Sequence, residues 1–255
     1  MLKRLRAWRL ARILDRFAIA DDVWRRVVGE LHILDRLTHD ELARLRELAT
    51  LFLHQKTFVG THELVVDDYM RAVIAAQACL PILNLGLDYY RGWYTVILYP
   101  GAFVAHRELH DESGVVHTGY EELDGESAEG GPVALSWDEA RPLSLDDSDG
   151  YNVVVHEFAH KLDELTGAPN GLPPLHHDMS VAAWSAAMSA AFDAFNNRLD
   201  HGEEPPFDDY AGTDPAEFFA VLSELFFTAP DVLHQTYPDA YAQLAAFYRQ
   251  DPAAA

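Results

Sequence analysis

The string Val153-Val154-Val155-His156-Glu157-Phe158-Ala159-His160-Lys161-Leu162-Asp163 concentrates the reactive side chains of this sequence. Its two histidines stand four residues apart. On an α-helix that spacing puts both imidazoles on one face, one turn apart, where they can share one ion. Glu157 follows the first histidine and is expected to reach a metal-activated water from the side. Zinc brings the pKa of such a water down to about 7, so a carboxylate can take its proton and direct hydroxide at a carbonyl. Because the chain has 13 histidines, this HExxH pattern is met by chance more easily than usual, and its context has to carry weight. A Val run leads into it, and no Pro or Gly interrupts residues 151–165. The rival reading is an exposed helix that carries two histidines and a carboxylate but no ion.

A catalytic zinc site uses three protein ligands and leaves one position open. Glu217 is the expected third ligand, within Asp214-Pro215-Ala216-Glu217-Phe218-Phe219. Asp214 suits a helix N-cap and Pro215 the first helical position. The residues that follow, to Phe227, are strongly apolar. A carboxylate opening such a buried helix needs a partner, and a metal provides one. The alternative for Glu217 is a carboxylate favoured only by the helix dipole. Glu224, seven residues on, shares the face and is a candidate to accept a bond from a ligand imidazole. Asp163, three residues beyond His160, is a second such candidate, or else a surface aspartate.

Several elements must bring these side chains together. Residues 1–18 read as an amphipathic helix, with Leu2, Leu5, Leu10, Ile13, Leu14 and Phe17 spaced between arginines. It is expected to dock on its own domain or a protein partner in preference to a membrane surface. Helices are predicted at 21–34, 38–50 and 67–80, the second opened by a capping box from Thr38 to Glu41. Strands are predicted at 93–99, 114–119 and 132–137, and an exposed acidic loop at 121–131. Helices follow at about 151–166, 180–199, 214–228 and 237–249. The expected fold class is α+β: N-terminal helices on a small mixed sheet, then the metal helix and a helical C-terminal half. Residues 1–50 are expected to form an N-terminal helical segment packed on the core, and 51–255 the metal-dependent domain.

A net charge of −22 argues against direct nucleic-acid binding, which needs clustered Lys and Arg. The acidity lies beyond residue 60, because the first 60 residues are net basic. The single cysteine, Cys79, excludes an intramolecular disulfide and suits a small core residue in a reducing compartment. The Arg-punctuated first residues do not read as a signal peptide, and no run is long enough to span a bilayer. A cytoplasmic location without stable membrane insertion is the resulting expectation.

The strings HEFAHKLD (156–163) and DDYAGTDPAEFFAVLSELFF (208–227) closely resemble the Mlc titration factor A family of bacterial zinc peptidases. More remotely they are similar to the catalytic domain of anthrax lethal factor. Val96-Ile-Leu-Tyr-Pro100, Gly114-Val-Val-His117, Gly131-Pro-Val-Ala-Leu-Ser-Trp137 and Phe247-Tyr-Arg-Gln-Asp-Pro252 match as well, so the likeness covers most of residues 50–252. The resemblance implies a gluzincin-type fold, with one zinc held by His156, His160 and Glu217. It implies aminopeptidase activity on peptide substrates and a second role in the cytoplasm, binding a glucose-responsive transcriptional repressor. It also implies that His117 can reach the zinc as a fourth, resting-state ligand. Tyr210 matches a tyrosine near the metal in similar enzymes, where a phenol can donate to a developing oxyanion; simple packing is its alternative. The strand 133–137 is expected to accept an extended substrate as an added strand.

Overall fold

Local signals in the sequence start most of the helices. The Thr38 side chain accepts from the Glu41 backbone N–H, and the Glu41 carboxylate accepts from the Thr38 N–H, which opens α3 (His39–Gln55). Asp67 caps α4 (Asp68–Cys79) in the same sense through Met70. These are features of a computed structural model that describes residues 2–110, 116–128, 130–142 and 150–254, with the side chains of 2–7, 105–110 and 116–122 outside the description. Ahead of α3 lie α1 (Leu2–Phe17) and α2 (Asp21–Glu30).

The main sheet has the order β1-β2-β6-β5. Strands β1 (Thr57–Gly60), β2 (Thr95–Tyr99) and β6 (Val133–Ser136) run parallel, and β5 (Gly125–Ser127) closes the edge antiparallel to β6. Parallel neighbours need a crossover, and α4 supplies the one between β1 and β2. Between β2 and β5 the chain makes a separate hairpin, β3 (Phe103–His110) with β4 (Val116–Leu123). After β6 come a short helix α5 (Trp137–Ala140), α6 (Val153–Asp163), α7 (Val181–Asp200), α8 (Pro215–Thr228), α9 (Pro230–Thr236) and α10 (Pro238–Tyr248). The fold is a mixed α+β arrangement with a small mixed sheet and a helical C-terminal half.

Helix α6 is pressed into the core. Val153, Val154, Val155, Phe158, Ala159 and Leu162 are all buried. The Phe158 ring lies 5.1 Å from Tyr90, 5.6 Å from Trp93 and 5.7 Å from Phe52, centroid to centroid, within the span where aromatic pairs attract. Burial of each such side chain stabilises the fold by about 1.5–3 kcal/mol, so α6 cannot rotate its histidines away without a large penalty. Helix α8 is buried from Phe218 to Phe227 and packs beside α6. One hydrophobic cluster runs from Trp24 and Leu45 through Phe158 to Phe247.

Several sequence expectations are revised. The helix expected over 21–34 ends at Glu30: Leu31 is extended (φ −99°, ψ 91°) and a 3-10 turn, His32–Leu34, follows. The last helix, expected near 237–249, is α10; ahead of it lies a helix the sequence reading did not include, α9, which ends at Tyr237 (φ −134°, ψ 70°) because the residue before Pro238 is disfavoured from helical backbone. The segment 121–131, expected to be a loop, contributes the end of β4 and all of β5. Strand β6 is not an edge, since β2 and β5 flank it; the strand at this border of the sheet is β5. Among the described residues no helix is long and apolar enough to cross a membrane.

Candidate metal centre

Asn152 fixes the start of α6. Its side chain accepts from the Val155 N–H at 2.9 Å and donates through Nδ2 to Gln77 Oε1 at 2.9 Å, which ties the helix to α4. Its backbone N–H donates to Glu224 Oε2 at 2.5 Å. The other oxygen of Glu224 lies 2.7 Å from His156 Nδ1. A carboxylate only accepts, so this contact puts a proton on Nδ1 and keeps Nε2 as the nitrogen that an ion in the cleft would take. The sequence expectation for Glu224 is met in this respect: it orients a histidine of the motif.

Helix α8 delivers the carboxylate. Asp214 Oδ1 accepts from the Ala216 N–H at 2.7 Å and the Glu217 N–H at 3.0 Å, with Pro215 opening the helix. Glu217 Oε2 then stands 3.1 Å from His156 Nε2 and 3.4 Å from His160 Nε2, and the two nitrogens are 3.2 Å apart. Three donor atoms thus converge, and these residues form a group that could hold a metal ion. Tetrahedral coordination with bonds of about 2.0–2.1 Å places ligand atoms about 3.3–3.4 Å from one another, so the separations suit one small divalent ion. The donor set, two neutral imidazoles and a carboxylate, suits one as well.

The electrostatics follow from burial and crowding. Burial raises the Glu217 carboxyl, but hydrogen bonds from His156 and His160 outweigh it and hold the group well below the usual carboxylate range. Burial lowers His156, but its contacts with Glu217 and Glu224 outweigh that and raise it well above the usual imidazole value. Both shifts express one demand, positive charge among these donors. Glu157 is pushed up to about 7 by burial, against the pull of His156 and His160.

These groups face a cleft of about 590 Å³, lined by His156, Glu157, His160 and Glu217 and by residues 123–127. Tyr210 also lines it, from a 3-10 turn (Asp209–Gly212) set by Asp208 Oδ1 accepting the Tyr210 N–H at 2.9 Å. Its ring centroid is 6.2 Å from that of His156. His117 lies on β4 opposite Leu109, and its side chain is outside the described residues.

Asp163 departs from both of its expected roles. It is fully buried, and its Oδ2 accepts from the N–H groups of Asn170, at 2.7 Å, and Gly171, at 2.6 Å. It therefore anchors the loop after α6 and does not orient an imidazole. That loop abuts the start of α8: Gly171 (φ +78°) has no room for a Cβ because the Pro215 carbonyl is there.

Sequence reasoning missed part of the cleft lining: Asp124, Gly125, Glu126 and Ser127 from the strand side, and Asp208 and Asp214 from the turns before Tyr210 and Glu217. Only Asp214 carried a readable local signal, its N-cap position ahead of a proline. Tyr151 also lines the cleft, just before α6.

A helix-borne histidine pair, a carboxylate from a second helix and a buried glutamate beside them define a metallopeptidase-like domain, and comparison with known sequences agrees. The profile of a family described as glucose-regulated metallo-peptidase M90 matches residues 5–249, and the chain belongs to this family. It is 41% identical to Mlc titration factor A of Edwardsiella ictaluri over 223 residues, covering 86% of this chain and 84% of that one. Against the protein of the same name from Pectobacterium atrosepticum it is 40% identical over 238 residues, 91% of this chain and 87% of the relative. The Salmonella arizonae protein is 40% identical over 241 residues, 91% and 92%.

Proposed function

We propose that this protein is a zinc-dependent aminopeptidase of the gluzincin type, with His156, His160 and Glu217 as ligands and Glu157 as general base. The observation that carries this reading is the convergence of the three donor atoms, 3.1 to 3.4 Å apart, beside Glu157 in an open cleft. A divalent ion held there supplies Lewis acidity, which acidifies a water and polarises a peptide carbonyl. Glu157 accepts the proton of the attacking water and returns it to the leaving amine. Burial raises its carboxyl, which strengthens it as a proton acceptor. Tyr210 donates to the carbonyl oxygen as negative charge develops on it. Glu224 holds the His156 ring and its tautomer throughout. The substrate main chain lies along β5, the bordering strand, and not along β6. His117 serves as a fourth, resting-state ligand that must leave before turnover.

We propose a second role, in which the chain binds a glucose-responsive transcriptional repressor in the cytoplasm; the relatives' name, Mlc titration factor A, supports binding of Mlc. The basic, amphipathic residues 1–18, within the segment 1–50 that packs on the 51–255 domain, supply part of that surface. One variant tests both roles. Glu157→Gln is expected to keep one zinc per chain and repressor binding while hydrolysis of an aminoacyl anilide falls at least about 100-fold. Undiminished hydrolysis overturns the general-base assignment. Wild-type protein that carries zinc and hydrolyses nothing leaves only the binding role.

A further inference from the structure

We propose that Gly125 is a positioning residue for Glu157, because only a glycine lets β5 lie against the general base and hold its carboxylate in place. The inference rests on the hydrolytic reading of the cleft. A Cβ added at Gly125 would stand 2.5 Å from Glu157 Oε1, 2.7 Å from Glu157 Cγ and 2.7 Å from Val153 Cγ2. Non-bonded carbons settle at about 3.5–4.0 Å, so close to an ångström of room is missing. The backbone of Gly125 is not in the left-handed region, so its requirement for glycine comes from this approach and not from φ.

What must yield is decided by what is tied down. Strand β5 is fastened to β6 at each end, where the Ser136 N–H donates to Asp124 O at 2.7 Å and the Ala128 N–H donates to Pro132 O at 3.2 Å. A second clamp lies beyond its end. Glu164 accepts from Ser127 Oγ at 3.1 Å, from the Gly130 N–H at 3.1 Å and from Lys161 Nζ at 2.8 Å. Lys161 Nζ also donates to Ala128 O at 2.6 Å. Strand and helix are therefore locked together at a fixed height. Of the atoms a new methyl would strike, those of Glu157 belong to the side chain with the most freedom to turn. The added methyl is absorbed by rotating Glu157 off its working position, while fold and metal donors stay as they are. A displacement of about 1 Å in catalytic geometry costs on the order of 100-fold in rate.

The experiment compares zinc-loaded wild type, Gly125→Ala and Gly125→Ala/Val153→Ala in zinc content, crystal structure and steady-state kinetics on an aminoacyl anilide. Gly125→Ala is expected to keep one zinc per chain and a KM within about threefold of wild type, while kcat falls about 100-fold. Its crystal structure is expected to show the Glu157 carboxylate moved by about 1 Å or more. Val153→Ala removes one of the three collisions and is expected to restore neither kcat nor the carboxylate. An unmoved Glu157 carboxylate, an unchanged kcat, zinc loss in Gly125→Ala, or rescue by Val153→Ala each overturns the proposal. If zinc-loaded wild type is inactive, the hydrolytic reading fails instead, and the crystal structure still decides whether Gly125 sets the Glu157 side chain.

Discussion

The two walls of the cleft are built on different principles. On the helical wall two of the three converging donors are braced: buried Glu224 holds both the start of α6 and His156, and Asp214 caps the turn that presents Glu217. The strand wall is a three-residue strand held by one neighbour and by the Lys161–Glu164 pair. On the proposed reading the helical wall holds the ion and carries Glu157 as well, while the strand sets where the Glu157 carboxylate stands. The comparison teaches that turnover can be changed apart from ion affinity, because β5 lies against Glu157 and contributes no atom to the metal group.

The largest effect that sharpens this contrast is expected at Glu217. Glu217→Ala removes the only donor α8 contributes, so stoichiometric zinc in the purified protein should be lost together with all hydrolysis. Lys161→Met comes next. It removes one half of a buried pair whose lysine side chain is 0% exposed, and breaking such pairs costs about 3–5 kcal/mol. Urea denaturation should show a loss near the lower end, since Ser127 and Gly130 still satisfy Glu164. Zinc content should persist while kcat falls. If zinc is lost as well, the two walls are not independent and the comparison breaks. Glu224→Gln should weaken zinc affinity about 10- to 100-fold, read by competition with a chromogenic chelator, because an amide is a poorer acceptor for the His156 N–H.

The smallest effect lies far from both walls. Thr38→Ala should cost about 1 kcal/mol by loss of the capping box and leave turnover and zinc unchanged. The hydroxyl and backbone of Thr38 hold Glu41 below its ordinary pKa. A lowered carboxyl stabilises the fold above its unfolded-state pKa, and that contribution is lost as pH falls through the folded value. The Thr38→Ala penalty should therefore be full at neutral pH and shrink below about pH 4.5 in urea titrations. A penalty that grows on acidification would contradict the bonding described for Glu41.

Legibility in the sequence follows the same divide. The helical wall was readable because its information is local: i, i+4 spacing places the imidazoles, and an Asp-Pro pair announces where α8 begins. The strand wall was not. Gly125-Glu126-Ser127 has the composition of a loop, and β6 makes a strand of it by pairing, a contact that no local propensity encodes. For the same reason the sequence does not reveal that β6 is an interior strand: its short apolar run, Val133 to Leu135, marks a strand but not how many neighbours it has. Asp163 failed differently. Helical phase put it near His160, but its carboxylate turns to the N–H groups of a loop whose course no periodicity reveals.

The donors of this centre come from distant stretches of chain: 61 residues separate His156 from Glu217, and 68 separate it from Glu224. On the ribosome α6 is therefore made well before its partners. At roughly 5–20 residues per second, a nascent chain carries its imidazole pair without the carboxylates for about 3–12 s. Two nitrogens on an unbraced helix are a poor trap for an ion, so metal capture waits on synthesis of α8. An ion held by this group would then seal a late stage of folding, and translation stalled ahead of Asp214 should yield chains that emerge metal-free.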